Sequence, residues 1–280
     1  MDKDALPLEA GGGKLFPNLE ISPPSAFALR YGVDVTSKAR QPAHCKLCGQ
    51  QAKLCRSHIV PEFCYTQVYE DGKARKFDLG PDGAGSIKTI QKGLREYMLC
   101  ESCEACINKY ERRFKTYWYD SPGLPEKIDL RSEWVRMAGA HYDSTKLFHL
   151  SVLWRAGMAD CCKNVSLGPY SKKIGDMLLA GDPGSPQCFP VVGAVLINED
   201  GTVNHRVITM PLPFRLGHSR AYYMCYGGCQ WHFIVTDHPS PAEMELARHI
   251  DPTGDMWLPC MRCQDSKSLQ ILVQRMRKKR

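Results

Sequence analysis

Residues 45–63, CKLCGQQAKLCRSHIVPEF, set Cys45 and Cys48 with two residues between them and then, after nine more residues, place His58 inside Ser57-His58-Ile59-Val60-Pro61. A second pair, Cys100 and Cys103, has the same spacing. Two such pairs can close a tetrahedral four-thiolate site, the arrangement Zn²⁺ takes in structural centres. The 51 residues between the pairs are more than a compact zinc ribbon has, and the site closes if the segment folds back as a hairpin plus loop. The chain holds fourteen cysteines. In a reducing compartment, pairs at this spacing point to metal before disulfides. Cys55, Cys64 and Cys106 are expected to be core thiols. Cys225 with Cys229 and Cys260 with Cys263 leave a second zinc site open, although cross-strand packing beside the Gly227-Gly228 turn would explain the first of those pairs.

The composition fits a soluble globular protein of one large core or two modest domains: 280 residues, 43 % apolar and 24 % charged. No stretch approaches the apolar run of a membrane helix, and the first residues lack the apolar centre of a secretory signal. A cytoplasmic protein with no membrane partner is expected. The net charge of +7 is compatible with a nucleic-acid partner.

Three segments follow from the composition. Residues 1–42, rich in Gly, Pro and Ser, are an N-terminal arm. Residues 43–120 carry the paired cysteines, with a surface loop expected over 70–90 and a helix from Cys100, where Ile107, Tyr110, Phe114, Tyr117 and Trp118 recur at helical spacing. Ser121-Pro122-Gly123 ends that helix. In residues 121–280, the pattern predicts one or two helices over 131–159, a short helix over 170–180, and strands over 188–198, 203–210, 221–226 and 230–237. Helices over 241–250 and 266–277 complete an α+β chain: a zinc-stapled N-terminal module, a helical middle and a C-terminal antiparallel sheet with flanking helices.

The order CxxC, apolar strand ending in Ser-His-Ile-Val-Pro, loop, CxxC, helix resembles the HNH endonuclease family of the ββα-metal fold in its zinc-stapled form, over about residues 43–115. The resemblance implies that His58 is the general base and that the helix supplies a metal ligand just after its second cysteine, where Glu104 stands. The chain departs from the family pattern at three places. Ser57 replaces the acidic residue or histidine before the base. Arg95 and Glu96 occupy the neighbourhood of the family's middle Asn. Glu104 replaces the usual Asn or His.

At 100° per residue, Glu104, Asn108 and Glu111 share one helix face. Two carboxylates and an amide suit Mg²⁺ or Mn²⁺, with Glu104 or Glu111 standing in for the family's imidazole ligand. The expected catalytic set is therefore His58, Glu104, Asn108 and Glu111. The C-terminal cluster of Arg275, Arg277, Lys278, Lys279 and Arg280 is expected to contact phosphates. These features point to a metal-dependent endonuclease acting on DNA, in the mobile-element or phage-defence setting the resemblance implies. The alternative is a zinc-stapled module that has lost catalysis and binds nucleic acid or a protein, with residues 121–280 as the surface for a protein partner.

Overall fold

The computed structural model describes residues 21–22, 42–69, 74–79, 85–90, 93–120, 123–240, 252, 254–266 and 269–270. The fold is α+β. Strand β1 (Ile21–Ser22) edges the large sheet, and β2 (Ala43–His44) and β3 (Gln51–Ala52) bracket the first cysteine pair. β4 (Leu54–His58) is followed by β5 (Ala74–Leu79), β6 (Gly85–Ile90) and β7 (Arg95–Cys100). β4 pairs antiparallel with β7, and β5 pairs with β6, so a hairpin stands where the sequence suggested only a surface loop. This fold-back brings Cys100 opposite Leu54 and closes the long gap between the two cysteine pairs.

Helix α1 (Glu101–Lys115) starts directly at Cys100 and ends in a wider turn over 116–120. Its buried residues Ile107, Tyr110 and Phe114, with Trp118 beyond, are the stripe read from the sequence. β8 (Trp134–Met137) then leads through Gly139, at φ +80°, into α2 (Tyr142–Met158). The helix expected over 131–159 is therefore cut short at its start. Residues 134–137 lie extended because β13 (Met256–Arg262) gives them a ladder partner, and a glycine in the left-handed region then breaks the chain before α2.

α3 (Tyr170–Ala180) ends at Gly181 with φ +71°, as expected for 170–180. β9 (Val191–Ile197), β10 (Leu212–Leu216), β11 (Ser219–Tyr226) and β12 (Cys229–Val235) complete a seven-stranded sheet in the order β1-β10-β11-β12-β9-β13-β8. Every neighbouring pair is antiparallel except β9 with β13. The β11–β12 turn uses Gly227 and Gly228, both at positive φ, as a tight two-residue hairpin requires. The strand expected over 203–210 is absent. After the turn at Gly201 the chain makes only single bridges there, and the sheet partner of β11 is the later segment β10. The arm over 1–42, apart from β1 and residue 42, lies outside the described residues. So do the helix expected over 241–250 and most of that over 266–277, of which only 269–270 are described as helical.

Thirteen of the 17 residues of α2 are buried, so this helix is enclosed on nearly every side. It packs against α1 through stacked Phe114 and Phe148 rings 3.9 Å apart, and against the sheet through His149 and Trp231, also 3.9 Å apart. Truncating a core aromatic such as Phe148 to Ala costs about 3–5 kcal/mol. One continuous core runs from Cys45 through α1 and α2 to Leu258, so the cysteine module and the sheet share it. Enclosure also means that the charged residues of α2, Lys146 and Arg155, must find partners inside the protein.

Candidate metal centre and the His58 site

The first knuckle is a tight turn. Gly49, at φ +74°, donates its N–H to the Cys45 carbonyl at 2.9 Å and returns the chain to β3. The second pair sits at the junction of β7 and α1, with Cys100 as the residue capping the helix. The Sγ atoms of Cys45, Cys48, Cys100 and Cys103 all lie within 4.8 Å of one another. Cys48 and Cys100 are 3.7 Å apart, close to the ~3.8 Å edge of a tetrahedron with metal–sulfur bonds near 2.3 Å. The four cysteines can hold a metal ion, as their spacing suggested. At Cys100, burial would raise the thiol pKa, but the Ser102 hydroxyl 3.1 Å away and the N–H of Cys103 outweigh it and bring it down to about 6.

The other two cysteine pairs do not converge. On the β11–β12 hairpin Cys225 stands opposite Gln230 and Cys229 opposite Tyr226, so the two thiols point to opposite faces of the sheet. Cys260 joins Cys229 in the core on the helical face, while Cys263 joins Cys225 on the other. Among the described residues, Cys45, Cys48, Cys100 and Cys103 are the one group of three or more ligand-type side chains brought this close.

His58 ends β4, opposite Arg95. Ile59 and Val60 are wholly buried and anchor the corner, and Pro61 then starts a 3₁₀ turn over Glu62–Tyr65. That turn carries Glu62 back to the histidine, with His58 Nε2 2.8 Å from Glu62 Oε2. The contact is close but is not an aligned hydrogen bond, and it becomes an ion pair only when the ring is protonated. Glu62 also accepts the Tyr69 hydroxyl and the Gly93 N–H at 3.3 Å. A Cβ at residue 93 would fall 2.5 Å from the Tyr65 ring, so a larger residue there would have to displace that ring. Burial would raise the Glu62 carboxyl, but these hydrogen bonds and His58 hold it below its ordinary value. Burial lowers the His58 pKa below its ordinary value; Glu62 opposes this, and Arg95 and Arg155 reinforce it. The surroundings therefore favour the neutral imidazole, and the side chain is 25 % exposed.

The helix face from Glu104 to Glu111 is not uniform. Asn108 is exposed. Glu104 is half-buried, and its Oε1 is enclosed with no protein hydrogen-bond partner. Burial and the Glu104 carboxylate together raise the Cys55 thiol, which places Glu104 near the start of β4. Glu111 turns inward, with Oε1 2.8 Å from Nη2 of the buried Arg155 on α2, again off the hydrogen-bond axis. Ser57 is buried, and its hydroxyl has no hydrogen-bond partner.

The sequence reading missed Glu62, Tyr69 and Arg155. Glu62 was legible, because it lies four residues after His58 across a proline that forces a turn. Arg155 carried no local signal. The residues Arg275, Arg277, Lys278, Lys279 and Arg280 lie outside the described residues. No helix among the described residues is long and apolar enough to cross a membrane. No family model, curated protein or solved structure matches the chain.

Proposed function

We propose that the chain is an HNH-like endonuclease that hydrolyses phosphodiester bonds in DNA, with His58 as general base. The observation that carries this reading is a partly exposed imidazole 2.8 Å from a carboxylate, at the position the nuclease resemblance assigns to the base, where burial favours the neutral ring. With Nε2 turned to Glu62, Nδ1 is the ring atom left to take a proton from the attacking water. Glu62, itself fixed by Tyr69 and Gly93, orients the ring and stabilises the imidazolium that forms. The four cysteines hold Zn²⁺ as a structural ion, fixing the β4–β7 hairpin against α1. Glu104, with an enclosed oxygen lacking a protein partner, would hold Mg²⁺ or Mn²⁺, which supplies charge to the scissile phosphate. The basic residues at 275–280 add phosphate contacts.

A second reading, a zinc-stapled binding module without catalysis, is favoured by Ser57 at a ligand position and by the engagement of Glu111 with Arg155. Plasmid nicking with Mg²⁺ or Mn²⁺ separates the two. Wild type should nick, and His58→Ala should lose about 10²–10⁴-fold in rate while keeping its zinc. Wild-type protein that is zinc-loaded, folded and unable to nick any nucleic acid would decide for the binding module.

A further inference from the structure

We propose that Arg155, on α2 and outside the segment that carries the nuclease resemblance, is a positioning residue for the His58 site: it fixes Glu111 of α1 beside the histidine. The proposal rests on the reading of His58 as a functional base. Arg155 is 1 % exposed, and it is tethered to its own helix by Nε donating to the Ser151 carbonyl at 3.2 Å and Nη2 to the Ser151 hydroxyl at 3.4 Å. The guanidinium is thus a fixed post, and Glu111 Oε1 meets it at 2.8 Å. Exposed Lys109, Arg112 and Arg113 flank Glu111 on its own helix, yet the carboxylate turns inward and is only 14 % exposed. A pair made in solvent contributes about 0–1 kcal/mol, whereas breaking a buried one is strongly destabilising, so the inward contact constrains far more.

The chain after His58 packs on the same two helices that carry the pair. The Phe63 ring lies 6.0 Å from Phe148 of α2 and 5.6 Å from Tyr119 beyond α1. The charges bearing on His58 come from Glu62 after it, Arg95 across the ladder, Arg155 on α2 and Glu111 on α1. Glu62 holds the ring from its own segment, and the Arg155–Glu111 pair sets the charge facing it from the helices. On this account the base of the N-terminal module is completed by a residue of the C-terminal half, with which it shares one core.

The test uses full-length protein, with the His58 ring ¹³Cε1–¹Hε1 cross-peak followed at fixed pH and zinc content as the control for fold. Glu111→Gln and Arg155→Gln should each move the His58 cross-peak while those of the exposed His218 and His238 stay in place. They should also lower turnover in DNA nicking by about tenfold or more with KM little changed, as a misplaced site does. Where a single variant fails to fold, the double variant Glu111→Gln/Arg155→Met removes both buried charges and should fold. In it the His58 cross-peak should still move. A stationary His58 cross-peak in folded, zinc-loaded Glu111→Gln or in the double variant overturns the proposal. A moving cross-peak in a protein that never nicks leaves the positioning intact and removes only the nuclease reading.

Discussion

Lys46 Nζ lies 3.2 Å from Glu96 Oε1 and donates to the Met158 carbonyl at 2.7 Å, which ties the first cysteine knuckle to the C-terminal end of α2. Glu96 is 4 % exposed and also accepts the N–H groups of Asp160 and Cys161 at 3.1 and 3.3 Å. A cation at a helix C-terminus and a carboxylate capping the following turn make one joint from three segments. Glu96→Ala would leave those N–H groups without their acceptor and should cost about 3 kcal/mol. Lys46→Met should cost about 1 kcal/mol, since Lys46 is partly solvated. Urea unfolding measures both, and a smaller loss at Glu96 than at Lys46 would show that the joint does not hold the turn.

One metal ion per chain should copurify, and elemental analysis should identify it as zinc. Replacing Cys45, Cys48, Cys100 or Cys103 by Ser should release it and unfold the module, because binding energy at such a centre is folding energy. Cys225→Ser and Cys260→Ser should leave the metal content unchanged, because these thiols lie outside the four-cysteine cluster. Well-folded protein without metal would end this assignment.

Stability should fall in mild acid because of His149. The ring is wholly buried, with Nδ1 2.6 Å from the Tyr226 hydroxyl, and burial drives its pKa down to about 3. The unfolded chain binds a proton near pH 6.5, whereas the native protein binds it only near 3. Stability is therefore fully present above about pH 6.5 and drains away as the pH falls toward 3, by at most on the order of 4–5 kcal/mol. Urea midpoints at pH 7, 5 and 4 should show this slope in wild type and a shallower one in His149→Gln. Equal slopes would place the acid sensitivity elsewhere.

The cysteine centre was legible because metal ligation is written in short spacings, and α1 because Ile107, Tyr110 and Phe114 mark one buried face of a partly exposed helix. α2 was legible as apolar but not in its limits. Trp134–Met137 reads equally well as helix or strand, and the strand over Met256–Arg262, far along the chain, decided between them. The same non-local choice removed the strand over 203–210 and formed β10 instead. At the candidate site, His58 and Glu104 were assigned from motif positions alone. The partner of Glu111 could not be, because Arg155 reaches it only through helix packing, and nothing in the local sequence ranks it above Arg112 or Arg113.

Glu62 gives the sharpest test of His58, because its charge and its orienting role predict opposite changes. A general base must be neutral, so the nicking rate should fall as the pH drops through the His58 midpoint and stay level above it. Burial first, then Arg95 and Arg155, hold that midpoint below 6.5, while Glu62 opposes them. Glu62→Gln removes the opposing charge, so the acid limb of the rate profile should move to still lower pH. It also removes the anion that orients and stabilises the imidazolium, so the plateau rate should drop, by about tenfold or more. Tyr69→Phe deletes one hydrogen bond to Glu62 and should lower the plateau less, with the limb near its wild-type place. If Glu62→Gln moves the limb to higher pH, or leaves both limb and plateau unchanged, the carboxylate does not act on His58 and the dyad has no part in catalysis.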